Sequence, residues 1–280
     1  MNNDTKPSFI CIGPGRTGTT WLFNYLQNHK DVYVVPGKEI NFFNNFYEKG
    51  FDWYASFFKS NVSCKGEISN TYFLLTSTID KIEKDLSNIK LIFCLRDPKS
   101  LAKSIYDFAI RRGIYFKNFD EFLEYPYIKI MGSSGNDTNQ DELKVTVRQS
   151  LDYKKYIDYL DNKELDIFFF NYSNLKNNHN ELINKICLFL EIEPVRSENS
   201  KEIINKSGTP RFKFIMPFLS PIIFILKKIG LRKLVSFLKT NTILNNLLFK
   251  KEKRSSLISE EDLSCLDNLE EEYYKIIKAL

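Results

Sequence analysis

Short apolar runs alternate with amphipathic stretches through residues 9–190. Phe9-Ile10-Cys11-Ile12 is continuous and apolar, which marks a buried strand over Phe9–Gly13, and a helix is predicted from Thr19 to Asn28. Further strands are predicted over Asp31–Val35, Gly66–Ile68, Lys90–Leu95 and Leu165–Asn171. The run at Lys90–Leu95 is the one best suited to the centre of a parallel sheet. Between the strands, helices are predicted over Phe51–Lys59, Asp80–Leu86, Leu143–Leu160 and Asn178–Leu190. Pro98 opens another helix at its first turn, where a missing N–H is harmless. Gly132–Asp141 is the clearest loop. Strands alternating with helices in this way imply an α/β fold with a doubly wound parallel sheet.

The last third reads differently. Phe214–Leu226 is an uncharged stretch of 13 residues containing Pro217 and Pro221. A membrane span takes roughly 20 residues, so packing against the protein is the first reading and a lid or membrane-surface segment the second. Ser259–Leu280 reads as one amphipathic helix, with Ser259 as N-cap, Asp262 at its third position, and a stripe of Leu263, Leu266, Leu269, Tyr273 and Ile277. A helical C-terminal extension is therefore expected after the sheet.

Composition narrows the chemistry. With 43% hydrophobic and 27% charged residues in 280, the chain has the make-up of a water-soluble globular protein. Its five cysteines are scattered and form no metal-like spacing, and they read as reduced thiols. Only two histidines are present, His29 and His179, which argues against multi-histidine metal sites and points any general base toward a carboxylate. The polar stretch Met1–Pro7 lacks an apolar signal core, so a cytoplasmic location is expected. The net charge of +5 is uneven: residues 201–254 hold 13 Lys/Arg against 2 Asp/Glu. Such an excess suits an anionic partner, either a cofactor phosphate or a membrane surface met peripherally through 212–254. A solvated helical face accounts for most of these lysines. No nucleic acid partner is expected.

Three places carry candidate chemistry. The first is Gly13-Pro14-Gly15-Arg16-Thr17-Gly18-Thr19-Thr20-Trp21-Leu22, between a buried strand and a helix. Glycines there let backbone N–H groups close on a phosphate, and the helix turns its positive end toward it. Nucleotide hydrolases need Gly-x4-Gly-Lys-Ser/Thr, but here Thr19 stands in the lysine slot and Arg16 is the only cation. The sheet is thus P-loop-like, with a loop poorly suited to a β,γ-phosphate pair and Mg²⁺. The second place is Arg96-Asp97-Pro98 with Ser104, following the strand Lys90–Leu95. At the carboxyl end of a strand, Arg96 enters the same crevice, where its planar fork suits a second phosphate and Ser104 can donate to it. The third is Lys38-Glu39-Ile40-Asn41-Phe42-Phe43, in which Glu39 is placed as a general base whose pKa partial burial would raise.

Taken together these segments resemble the sulfotransferases that use 3′-phosphoadenosine-5′-phosphosulfate (PAPS). Gly15-Arg16-Thr17-Gly18-Thr19-Thr20-Trp21-Leu22 is similar to that family's Pro-Lys/Arg-Ser-Gly-Thr-Thr-x-Leu loop, and Leu91–Ser104 to its 3′-phosphate motif. Lys38-Glu39 with Phe42-Phe43 looks like the carbohydrate branch, heparan-type and many bacterial enzymes included. Gly66-Glu67-Ile68-Ser69-Asn70-Thr71-Tyr72-Phe73 resembles that branch's Glu-x-x-Pro-x-Tyr-Phe segment, and Asn205–Arg211 the late loop that closes over the nucleotide. Arg16 replaces the usual lysine, as in the tyrosylprotein enzymes. Ile68 stands where heparan-type members carry a lysine and Asn70 replaces a proline, both counting against a highly anionic acceptor.

The resemblance implies one sulfotransferase domain over 1–280, with a PAPS-binding core at 8–211 and a helical part at 212–280. It implies PAPS as donor, 3′,5′-adenosine bisphosphate as product, no metal, and an acceptor hydroxyl on a glycan or glycolipid. Glu39 and Arg16 would be catalytic. Gly15, Arg16, Thr17, Gly18, Thr19, Thr20, Arg96, Ser104, Lys206, Ser207, Gly208 and Arg211 would bind the donor. Lys38, Phe42, Phe43, Thr71 and Tyr72 would meet the acceptor. The competing readings are a P-loop small-molecule kinase, disfavoured by Thr19, and a non-catalytic anion- or membrane-binding module using 201–254.

Overall fold

A computed structural model of the protein describes residues 6–132, 140–195 and 258–280, together with residues 209, 210, 226, 231, 249 and 250. Five strands, β1 (Phe9–Gly13), β2 (Val32–Val34), β3 (Cys64–Ile68), β4 (Lys90–Leu95) and β5 (Asp166–Asn171), form one sheet in the order β2-β3-β1-β4-β5. All neighbours are parallel, with Cys11 opposite Ile68 on one side and Ile92 on the other. From the central β1 the chain runs to β2 and β3, then crosses to β4 and β5. The carboxyl ends of β1, β3 and β4 therefore border the reversal point where open α/β sheets take ligands.

The helices of this region are α1 (Thr19–Gln27), α2 (Phe42–Asn45), α3 (Phe51–Ala55), α4 (Thr76–Asp85), α5 (Pro98–Arg111), α6 (Phe119–Leu123), α7 (Tyr127–Met131), α8 (Val147–Ser150), α9 (Tyr153–Leu160), α10 (Tyr172–Asn177) and α11 (His179–Leu190). Residues of one strand alternate between faces, so the sheet divides two cores. Ile10 and Ile12 join Leu91 and Phe93 under α4, α5 and α9, whereas Phe9 and Cys11 join Ile92 and Cys94 under α1 and α11. Trp21 belongs to the second core, stacked on Tyr25 and edge-on to His179. Asp97 caps α5 by accepting from the Ser100 N–H at 2.7 Å, with Pro98 in the first turn as its ring geometry favours.

Two long helices expected from periodicity are broken. In place of Leu143–Leu160 the chain makes a 3-10 turn at Glu142–Lys144, then α8 and α9. Thr146 and Gln149 form a reciprocal capping box that starts a new helix where the apolar pattern ran on. The C-terminal segment divides into α12 (Glu260–Ser264) and α13 (Asp267–Ala279), separated where fully buried Leu266 turns into the core. Ser259 does cap the first of these, with Asp262 answering in a capping box. Leu263, Leu266 and Tyr273 pack in the first core, and α13 lies against α5 and α9. Helix α10 had no periodic signal; it begins directly after β5, where the Asn171 side chain accepts from the Ser173 N–H.

Thr209–Pro210 pairs antiparallel with Phe249–Lys250. The apolar stretch Phe214–Leu226 apart from Leu226, and most of the basic segment, lie outside the described residues, as does most of the Gly132–Asp141 loop. Among the described residues no helix is long and apolar enough to cross a membrane.

Candidate active site

The glycine loop leaves β1 through Gly13, whose φ of +111° only glycine adopts with ease. A Cβ there would lie 2.4 Å from the Asn70 carbonyl oxygen, so the loop presses directly on the end of β3. Thr17 is buried and closes the turn by donating its hydroxyl to the Pro14 carbonyl at 2.6 Å. Gly18, left-handed at φ 100°, is the N-cap of α1 and brings no side chain to its first N–H groups. Those groups and the Thr19 and Thr20 hydroxyls gather at the positive end of α1, where an anion is favoured. The Gly15 N–H, expected to face a phosphate, instead donates to the Tyr127 hydroxyl at 3.0 Å.

Arg16 and Arg96 meet beyond the carboxyl ends of β1 and β4. Arg16 Nε donates to Ser104 Oγ at 3.1 Å, and an Arg96 guanidinium N–H donates to the Arg16 carbonyl at 2.8 Å. Arg16 also lies over the Phe108 ring and Arg96 over Tyr172. Burial, then the neighbouring Arg111 and Arg96 charges, bring the Arg16 pKa down to about 10, with Asp107 opposing. Cations gathered this closely are stabilised by an anionic ligand. β4 and α5 thus bring Ser104 and Arg96 to the loop that sequence spacing assigned them to. Lys206, Ser207, Gly208 and Arg211 lie outside the described residues.

Lys38 sits differently from expectation. Its ammonium donates to the hydroxyls of Thr19 and Thr20, each at 3.4 Å, so the residue assigned to the acceptor reaches the donor-side cradle. The cation absent from the lysine slot of α1 is brought in from the loop after β2.

Glu39 stands at the end of β3. The backbone N–H and the side-chain amide of Asn70 both donate to its carboxylate, at 3.0 and 2.6 Å. The loop that carries it is strained: Lys38, Glu39 and Asn41 have φ of 51°, 55° and 56°. Lys38 and Glu39 each cost on the order of 1–2 kcal/mol in this geometry, which Asn41 tolerates better. Phe42 and Phe43 are core residues rather than an acceptor wall, because they close an aromatic cluster with Tyr54 and Tyr72. Thr71 and Tyr72 are likewise buried, Thr71 accepting from the Asn44 amide at 3.0 Å.

Two buried carboxyls were assigned no chemical role from the sequence, although Glu67 heads the segment likened to Glu-x-x-Pro-x-Tyr-Phe. Glu67 on β3 is 1% exposed and accepts from Tyr54 at 2.7 Å, Tyr72 at 3.0 Å and Ser69 at 2.6 Å. Burial outweighs these donors and pushes its pKa up to about 7. Glu142, fully buried, accepts from the Asn44 amide at 2.6 Å, and burial raises it to about 7 as well. The signal for Glu67 was an acid inside a strand with Ser and Tyr two and five residues on. For Glu142 the local sequence is that of an ordinary solvated turn.

The family model described as "Sulfotransferase domain" matches residues 6–213, and the chain belongs to this family of transferases. The membrane-associated sulfotransferase kil1 of Dictyostelium discoideum is 38% identical over 110 residues, covering 38% of this chain and 23% of that protein. The bifunctional heparan sulfate N-deacetylase/N-sulfotransferase of Drosophila melanogaster is 28% identical over 222 residues, 69% of this chain and 20% of the relative. The chain thus spans about a fifth of the length of these curated relatives. Among solved structures, a sulfotransferase from Alicyclobacillus acidocaldarius superposes with a TM-score of 0.53 at 19% identity, over 81% of this chain and 94% of that one. That likeness agrees with the P-loop-like parallel sheet.

Proposed function

We propose that the chain is a PAPS-dependent sulfotransferase, one domain over 1–280, acting on a hydroxyl of a glycan or glycolipid. The observation that carries this reading is the pairing of Arg16 with Ser104 and Arg96 beside the open end of α1, with Glu39 held next to the same loop by Asn70. The residues present fit a doubly phosphorylated nucleotide: Arg16, Arg96 and Ser104 gather at one point, and Lys38 with the Thr19 and Thr20 hydroxyls at another. The donor supplies the sulfuryl group and leaves as 3′,5′-adenosine bisphosphate.

The chain's own groups divide the work. Thr19, Thr20, the Arg16–Gly18 segment and the first N–H groups of α1 hold the 5′-phosphate, with the Lys38 ammonium beside them, while the Gly15 N–H stays on the Tyr127 hydroxyl. Arg96 and Ser104 select the 3′-phosphate. Arg16 offsets charge growing on the leaving oxygen. Glu39 takes the acceptor proton on its carboxylate, whose direction the two Asn70 N–H groups set. Lys206, Ser207, Gly208 and Arg211 close over the nucleotide. Sulfuryl transfer resembles phosphoryl transfer in running in line between two oxygens, so positioning and electrostatics supply most of the acceleration. A cytoplasmic protein meeting membranes peripherally through the basic 212–254 segment fits the glycolipid alternative, and the Dictyostelium relative's description as membrane-associated supports it.

Labelled-sulfate transfer from PAPS to a panel of glycans, glycolipids and phenols tests the reading. Transfer to a sugar hydroxyl is expected. Absence of both transfer and 3′,5′-adenosine bisphosphate binding, or Mg²⁺-dependent ATP turnover, overturns it.

A further inference from the structure

We propose that Glu67 is a positioning residue that clamps the strained loop bearing Glu39 by orienting two hydroxyls toward that loop's backbone. The proposal rests on Glu39 being the base of the reaction proposed above.

Three contacts anchor the loop backbone. The Glu39 N–H donates to the Ile68 carbonyl at 2.8 Å, the Asn41 N–H to Ser69 Oγ at 3.4 Å, and the Phe42 N–H to the Tyr72 hydroxyl at 2.8 Å. Two of the three anchors are hydroxyls, and a hydroxyl can either donate or accept toward a neighbour. An N–H needs it to accept. Glu67 settles the choice, because the Ser69 and Tyr72 hydroxyls both give their hydrogens to its carboxylate, at 2.6 and 3.0 Å. Their lone pairs are left facing Asn41 and Phe42. Tyr54 adds the third donor at 2.7 Å without touching the loop. Glu67, Ser69, Tyr54, Tyr72, Asn41 and Phe42 are all buried, so water does not replace a lost partner among them. Lys38, Glu39 and Asn41 hold left-handed geometry only while these anchors persist.

A glutamine at 67 keeps a donor aimed at one of the three hydroxyls at every pH, as Glu67 does while it is protonated, so the comparison is made above pH 7, where the carboxylate only accepts. Glu67→Gln is expected to lower kcat about a hundredfold, the scale of a misplaced catalytic group. Affinity for 3′,5′-adenosine bisphosphate should fall by no more than about fivefold, the scale of the one donor-side contact this loop makes through Lys38, because the other phosphate-binding groups come from β1–α1 and β4–α5. Amide hydrogen exchange at Asn41 and Phe42 should accelerate at least about tenfold while Gly18–Leu22 amides keep their protection. Ser69→Ala, which removes a single anchor, should show a smaller loss of kcat that Ser69→Thr restores, so the test survives if Glu67→Gln does not fold. Unchanged exchange at Asn41 and Phe42 in Glu67→Gln, or in Ser69→Ala at Asn41, overturns the clamp. So does accelerated exchange with kcat kept in an active enzyme. A wild-type protein that neither binds the nucleotide nor transfers sulfate counts against the donor-site reading instead, and the exchange result still decides the clamp.

Discussion

The two walls of the crevice are built on opposite principles. The donor wall, β1–α1 with β4–α5, presents backbone N–H groups, hydroxyls and guanidinium groups, and its glycines supply the left-handed turns at Gly13 and Gly18. The acceptor wall, the loop after β2 with the end of β3, carries left-handed Lys38, Glu39 and Asn41 against buried carboxyls. On the first wall, burial and neighbouring guanidinium charges pull the Arg16 pKa down to about 10, the setting in which an added anion is stabilising. On the second, charge is already committed to internal hydroxyls and amides, and it holds geometry. Binding and catalysis should therefore separate cleanly under mutation.

Glu39→Gln gives the largest expected effect: kcat falls by about 10²–10⁴-fold, as loss of a general base does, with nucleotide affinity kept. Steady-state kinetics beside calorimetric titration with 3′,5′-adenosine bisphosphate checks both halves, and wild-type turnover in the variant removes Glu39 as base. Next is a pH effect on stability. Glu67 holds its proton to about 7 in the fold against 4.5 ordinarily, a shift caused first by burial. Its contribution is complete below pH 4.5 and is lost as pH rises to 7, on the order of 3 kcal/mol. Urea unfolding at both ends of that window should show the loss in wild type and a reduced loss in Glu67→Gln. Glu142 titrates in the same range and remains in both proteins.

Arg96→Ala should cost about 1.5–3 kcal/mol of nucleotide affinity through a lost charge-assisted contact. Loss of turnover at saturating nucleotide with affinity unchanged would merge the two walls. Lys38→Met gives the smallest change, about 1 kcal/mol, and it should fall on nucleotide binding rather than on KM for the acceptor. That result would assign a residue of the acceptor loop to the donor wall, as its contact with Thr19 and Thr20 suggests.

Much of the donor wall was legible from short motifs because each part is local. A strand, a glycine turn and a helix start occupy consecutive residues, and Arg96 with Ser104 repeats the pattern at the next strand. The acceptor wall was legible only at Glu39. Phe42, Phe43 and Tyr72 read as cleft-lining aromatics because a sequence does not tell an aromatic core from an aromatic pocket; burial assigned them to the core.

By itself, the sequence determined the alternating strands and helices, the parallel sheet, the glycine turn between β1 and α1 and the acid placed beside it. All of these depend on residues close together in the chain, whose periodicity and backbone preferences act locally. Only the tertiary structure decided that Lys38 faces the cradle, that Glu67 and Glu142 are buried acids, and that two long helices are broken. Those outcomes depend on which distant groups share a low-dielectric space. Asn44 and Glu142, 98 positions apart, meet at 2.6 Å. No local preference encodes such a meeting; folding creates it.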